Sequence, residues 1–147
     1  MGKDIVKGAT TKAYFIEDAL AFDFGLRHIG WATGQHLTAS ATAGSALAAQ
    51  EGTPNWQAVQ ALLEEWQPVR LIVGLPLNMD ETENDMCTRA RRFARRLEGR
   101  FGIPVTLQDE RLSSREAGER FPHRDRNDRH GEAARIILED YLRQSAS

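Results

Sequence analysis

Apolar residues gather in short runs near the start of the chain and in helically spaced stripes farther on. Residues 20–24 and 29–33 are short, apolar and separated by a glycine-containing turn, which predicts two adjacent antiparallel strands. A third strand is expected over 36–44. Thr53-Pro54 predicts a helix start, with Thr53 as N-cap and Pro54 at the first helical position. Trp56, Val59, Leu62, Leu63 and Trp66 then keep helical spacing until Gln67-Pro68 stops it.

Residues 70–75 form a continuous apolar run between Pro68 and Pro76, the pattern of a fully buried strand. A long helix is predicted over 85–100, with Ala90, Phe93, Ala94 and Leu97 as its apolar stripe and Phe101-Gly102 as its end. Residues 103–107 read as another buried strand running into Asp109-Glu110-Arg111. Ser113 and Glu116 have capping-box spacing and predict a short helix. The arginine-rich stretch 121–130 reads as a mobile loop, and a final helix is expected over 131–143. Strands alternating with helices after an opening meander imply an α/β fold, a mixed sheet with helices on both faces.

At 147 residues the chain suits one domain, assigned to 19–147, preceded by a polar extension over 1–18. The lone Cys87 has no intrachain partner and no zinc-like cysteine spacing exists, so a reducing, cytoplasmic setting is expected. No apolar run is long enough to span a membrane. The net charge of −2 argues against indiscriminate binding to polyanions. The charges are nevertheless segregated, with acids over 80–85 and arginines over 89–100 and 111–129. That segregation suits selective contact with a phosphate backbone.

Asp23 is the residue that most needs a cause. It stands beside Ala21, Phe22 and Phe24, and an ionised carboxylate is costly in such surroundings unless paired or bound to a cation. Glu110 follows a second predicted buried strand, and strand ends in α/β sheets form ligand crevices. If those two strands are neighbours, the carboxylates face one small volume, where a divalent cation relieves their repulsion. Oxygen ligands favour Mg²⁺ or Mn²⁺ over zinc. The alternative is a surface Glu110 paired with Arg111.

Asp23-Phe24-Gly25 with Ile29-Gly30, then the segment 72–80 (Ile-Val-Gly-Leu-Pro-Leu-Asn-Met-Asp), Asp109-Glu110-Arg111-Leu112-Ser113 and Ile136-Ile137-Leu138-Glu139 resemble the YqgF (RuvX) family. That family is a bacterial branch of the ribonuclease H-like superfamily, related to RuvC-type Holliday junction resolvases. The resemblance implies a ribonuclease H-like fold with a three-stranded antiparallel meander joined to parallel strands. It also implies a metal-dependent nuclease that matures the 5′ end of pre-16S rRNA, with Holliday junction resolution as the other assignment. By the same resemblance Asp23 and Glu110 are catalytic metal ligands, holding two ions roughly 3.5–4 Å apart.

The family's third acidic ligand falls six residues before the Ile-Leu motif, where this chain has His130. Three readings stay open: His130 replaces the aspartate as ligand or proton carrier, a loop shift brings in Asp128, or the site is incomplete and the chain binds RNA or ribosomes without cutting. Imidazole in that position predicts a preference for Mn²⁺. An actin-like ATPase reading of Asp23-Phe24-Gly25 fails for want of a second lobe and an adenosine motif.

Nucleic-acid contacts are expected from Asn78, at the end of the strand 70–75, and from Arg89, Arg92, Arg96 and Arg111. The three helical arginines recur at spacings of three or four, and planar guanidinium matches phosphate. Trp31, Trp56 and Trp66 are expected to pack rather than stack on bases. Pre-rRNA is the expected partner, with branched DNA or ribosomal particles as further candidates and a monomer or weak dimer as the working state.

Overall fold

The computed structural model describes residues 18–35, 40–110 and 126–146, the last stretch with its side chains from 131 to 144. Strands β1 (Ala19–Asp23), β2 (His28–Gln35), β3 (Ser40–Ala43), β4 (Leu47–Gln50) and β5 (Thr53–Pro54) precede helix α1 (Trp56–Trp66). Strand β6 (Arg70–Leu75), helix α2 (Asp85–Phe101), strand β7 (Val105–Asp109) and helix α3 (Arg126–Ala146) complete the described chain.

The sheet runs β5-β4-β2-β1-β6-β7. β2 pairs antiparallel with β1 on one edge, and on the other it pairs with β3 along its C-terminal half and β4 along its N-terminal half. β1–β6 and β6–β7 are parallel. This is the predicted mixed sheet.

Side chains alternate across it. Leu20 and Phe22 of β1 and Phe24 just after it, with Leu71, Val73 and Leu75 of β6, form one core with α1 and α2. Ala19 and Ala21, with Ala32 and Ile72, form the other with Ala134, Ile137, Leu138 and Leu142 of α3. Phe93 anchors the larger core, edge-on to Phe22 at 5.5 Å and stacked with Trp56 at 6.0 Å.

Several boundaries differ from the sequence expectation, among them β7, which covers Val105–Asp109 instead of 103–107 and is only partly buried. Thr53 and Pro54 pair with Gln50 and Ala49 as a short strand, and the helix is capped by Asn55, whose side chain accepts from the Gln57 and Ala58 amides. Pro54 fits because a terminal edge strand tolerates a missing donor. The third strand is Ser40–Ala43, residues 36–39 lying outside the described residues. The last helix begins at Arg126, so 126–130 are helical backbone instead of loop. The predicted helix at Ser113, and the extension over 1–17, lie outside the described residues. Trp31 and Trp56 pack against the larger core, whereas Trp66 is 43% exposed. Gly102, with φ near +70°, caps α2 as expected.

Candidate metal centre

Asp23 is the last residue of β1 and stands opposite Gly30 of β2. Glu110 directly follows β7, and its amide donates to the Leu75 carbonyl at 3.1 Å, so it prolongs the β6–β7 pairing. The strands that carry them are not neighbours. β6 lies between β1 and β7, contrary to the simplest expectation.

Gly74 removes the obstacle. A Cβ built at 74 would lie 2.8 Å from Cδ and 2.9 Å from Oε1 of Glu110, and 2.7 Å from Cδ1 of Ile137. The Glu110 side chain therefore occupies the space over β6 that any larger residue would fill, and there it hydrogen-bonds to the Asp23 carboxyl. Asp23 is 3% exposed and Glu110 5%. This excludes the surface reading of Glu110.

A hydrogen bond between two carboxyls needs a proton. Burial pushes the Glu110 carboxyl well above the ordinary carboxylate range, and the Asp23 charge and hydrogen bond push the same way. Glu110 therefore keeps its proton to a higher pH than an ordinary carboxyl, and a divalent cation at the same oxygens would take that proton's place. The donors are hard carboxylate oxygens with no thiolate among them, so the chemistry fits Mg²⁺ or Mn²⁺. Among the described residues no group of three or more histidine, cysteine or acidic side chains comes together.

Both candidates for a third ligand, Asp128 and His130, fall within the backbone of α3. His130 lies four positions before Ala134 and seven before Ile137 along that helix. Asp128 lies four and seven positions before Glu132 and Arg135, which pair with each other at 3.0 Å. The side chains at 128 and 130, and all of Arg111, lie outside the described residues.

Asn78 is taken up by its own loop. Its amide nitrogen donates to Thr82 Oγ1 at 2.9 Å, and its Oδ1 accepts from Asn84 Nδ2 at 2.8 Å. Asn84 in turn caps α2, accepting from the Cys87 amide at 3.0 Å. Asp80 accepts from the Thr82 amide and hydroxyl, bonds that hold its carboxyl below the usual range. The acidic loop is thus a built lead-in to the helix. Arg89, Arg92 and Arg96 line a cleft on the α2 side.

Sequence reasoning missed Gly74 as the residue that makes room for the Glu110 side chain. Its signal was present, since a glycine inside a strand marks a close approach to the backbone.

The sequence model of the RuvX family, described as Holliday junction resolvase, matches residues 17–144. The chain belongs to the RuvX family. A RuvX relative from Chromohalobacter salexigens, named provisionally as a pre-16S rRNA nuclease, is 54% identical over 130 residues, covering 84% of this chain and 87% of its own. Relatives with the same provisional name from Saccharophagus degradans and Yersinia pestis are 49% and 51% identical, covering 85% and 86% of this chain and 92% and 95% of theirs. Among solved structures, Thermus thermophilus RuvC in complex with a Holliday junction substrate superposes with a TM-score of 0.54 at 13% identity, covering 87% of this chain and 94% of that one. Fowlpox virus resolvase bound to junction DNA gives 0.56 at 10% identity, covering 88% and 99%. These likenesses show a shared ribonuclease H-like fold. Family and relatives agree on a nuclease.

Proposed function

We propose that the chain is a divalent-metal-dependent nuclease that hydrolyses phosphodiester bonds in the 5′-end maturation of pre-16S rRNA, working in the cytoplasm on free precursor or ribosomal particles. The observation that carries this is the buried Asp23–Glu110 pair, brought together across Gly74 at one edge of the sheet. The provisional names of relatives at 49–54% identity support pre-rRNA as the substrate.

Asp23 and Glu110 hold the metal, with His130 of α3 completing the set. Bound there, two divalent ions would activate water and stabilise the leaving oxygen of the phosphodiester. The carboxylates supply the negative charge that binds the ions, and the closely packed α3 limits bulk water around them. A histidine in the third position gives Mn²⁺ the advantage over Mg²⁺.

A second reading, cleavage of branched DNA, is favoured by the family description and by the fold shared with junction resolvases. The test offers 5′-extended 16S precursor RNA and a four-way DNA junction to the protein in Mg²⁺ and in Mn²⁺. Metal-dependent cleavage of the RNA, falling to background in an Asp23→Asn protein that keeps its circular dichroism spectrum and cooperative melting, is expected. Undiminished cleavage by Asp23→Asn would place the chemistry elsewhere, and cleavage of the junction alone would favour the second reading. RNA binding without cleavage would mark a non-catalytic module. His130→Asp should keep activity and raise its rate in Mg²⁺ relative to Mn²⁺.

A further inference from the structure

Six arginines lie on α2 between residues 89 and 100, and they have different surroundings. Arg91 pairs with Glu83, and Arg100 lies over the Trp56 ring at 4.3 Å from its centroid. Arg89, Arg92 and Arg96 form no ion pair among the described residues and line one side of a cleft of about 90 Å³. Its other side is the turn that joins β4 to β5, and its floor is Phe24 against Phe93, with ring centroids 5.4 Å apart.

The turn is fixed in place. Glu51 and Gly52 both have positive φ, +48° and +85°, which is the backbone of a type I′ hairpin turn. The Gly52 amide donates to the Leu26 carbonyl at 2.9 Å, and a Cβ at 52 would lie 2.7 Å from Phe24 Cζ. The turn is thereby tied to the segment that directly follows Asp23.

The volume suits a phosphate group better than a whole nucleotide. Three guanidinium charges face the single carboxylate of Glu51, leaving a net +2 at the cleft. A phosphodiester carries one negative charge, whereas a terminal phosphate carries close to two at neutral pH. Phe24 and Asp23 are consecutive, so their side chains leave opposite faces of the sheet at the same edge. A strand held at the cleft would turn around that edge to reach the carboxylates.

We propose that the cleft between α2 and the β4–β5 turn binds a terminal phosphate of the nucleic-acid strand, anchoring it apart from the carboxylate pair that cuts it. The proposal rests on the substrate being a nucleic acid, and its test does not depend on cleavage. Binding is measured in Asp23→Asn without divalent metal, using RNA oligonucleotides of one sequence carrying a 5′-phosphate, a 3′-phosphate or no terminal phosphate. One phosphorylated form should bind about tenfold or more tightly than the unphosphorylated strand, the scale of a charge-assisted contact. Inorganic phosphate should compete that advantage away.

Arg92→Ala and Arg96→Ala, added to Asp23→Asn, should each abolish the advantage, and Arg92→Lys should retain part of it. Arg95→Ala removes the same charge from the same helix outside the cleft and should preserve it. Equal affinity for all three strands would overturn the proposal, even if Arg92→Ala weakened them all, because that is the behaviour of an internal phosphodiester contact. Equal loss of the advantage in Arg95→Ala would overturn it as a diffuse charge effect. Failure of cleavage alongside a retained phosphate preference would instead defeat the nuclease reading and leave the anchor standing.

Discussion

The two faces of the sheet are built from different materials. Toward α3 the strands present Ala19, Ala21, Ala32, Gly34 and Gly74, and toward α1 and α2 they present Leu20, Phe22, Phe24, Leu71 and Val73. Small residues let a helix come close. A Cβ at Gly34 would lie 2.9 Å from Leu138 and 2.5 Å from the Ser40 carbonyl, so α3 is pressed onto the sheet with no space to spare. On the other face, layers of aromatic side chains separate α2 from the strands. The closely packed face carries the buried carboxyls, and the thickly packed face carries exposed arginines.

The largest effect that separates the two faces is expected from Phe93→Ala. It removes a ring touching Phe22, Phe24 and Trp56 and should cost about 3–5 kcal/mol in urea unfolding. A loss below 1 kcal/mol would mean that the aromatic layer does not organise that core.

Gly74→Ala probes the other face. The added methyl meets Ile137 and the Glu110 carboxyl, so a loss of about 1–3 kcal/mol is expected together with loss of metal-dependent cleavage. Full activity in a folded Gly74→Ala protein would show that Glu110 need not cross β6.

The carboxyl pair also sets a pH dependence. Glu110 keeps its proton in the folded protein to a higher pH than in the unfolded chain. The folded state therefore binds more protons in that window, and without metal its stability falls as pH rises from the ordinary carboxylate range toward the folded pKa. The slope for one proton is at most about 1.4 kcal/mol per pH unit. Melting curves should show the decline, Mn²⁺ should restore stability at the upper end, and Glu110→Gln should flatten it. A metal-free protein that becomes more stable over the same range would contradict the shared proton.

The smallest effect is expected on the arginine helix. Arg91 and Glu83 are 39% and 46% exposed, so Arg91→Ala should cost less than about 1 kcal/mol, and less still in high salt. A larger loss would give the outer face of α2 a structural role that its exposure does not suggest.

Local patterning marked β1, β2, β6, the strand before Glu110 and the long helix α2, because alternation, continuous apolar runs and helical spacing are properties of neighbouring residues. It also singled out Asp23, since a carboxylate amid Ala21, Phe22 and Phe24 is conspicuous without coordinates, whereas Glu110 stood out only beside Asp23 and the order of the elements. The β4–β5 hairpin escaped notice. Leu47–Gln50 has no strong strand pattern, and Thr53 resembles a helix cap as well as Asn55 does. The start of α3 escaped as well, its first turn being polar and arginine-rich.

The sequence by itself determined which residues could carry charge into the core and which segments could bury apolar surface. Tertiary structure decided the rest. Strand order is a matter of pairing between distant segments, so only the fold could insert β6 between the two acidic strands and make Gly74 the opening through which they meet. It likewise separated three cleft-lining arginines from those tied to Glu83 or Trp56, because that depends on what stands opposite each turn of the helix.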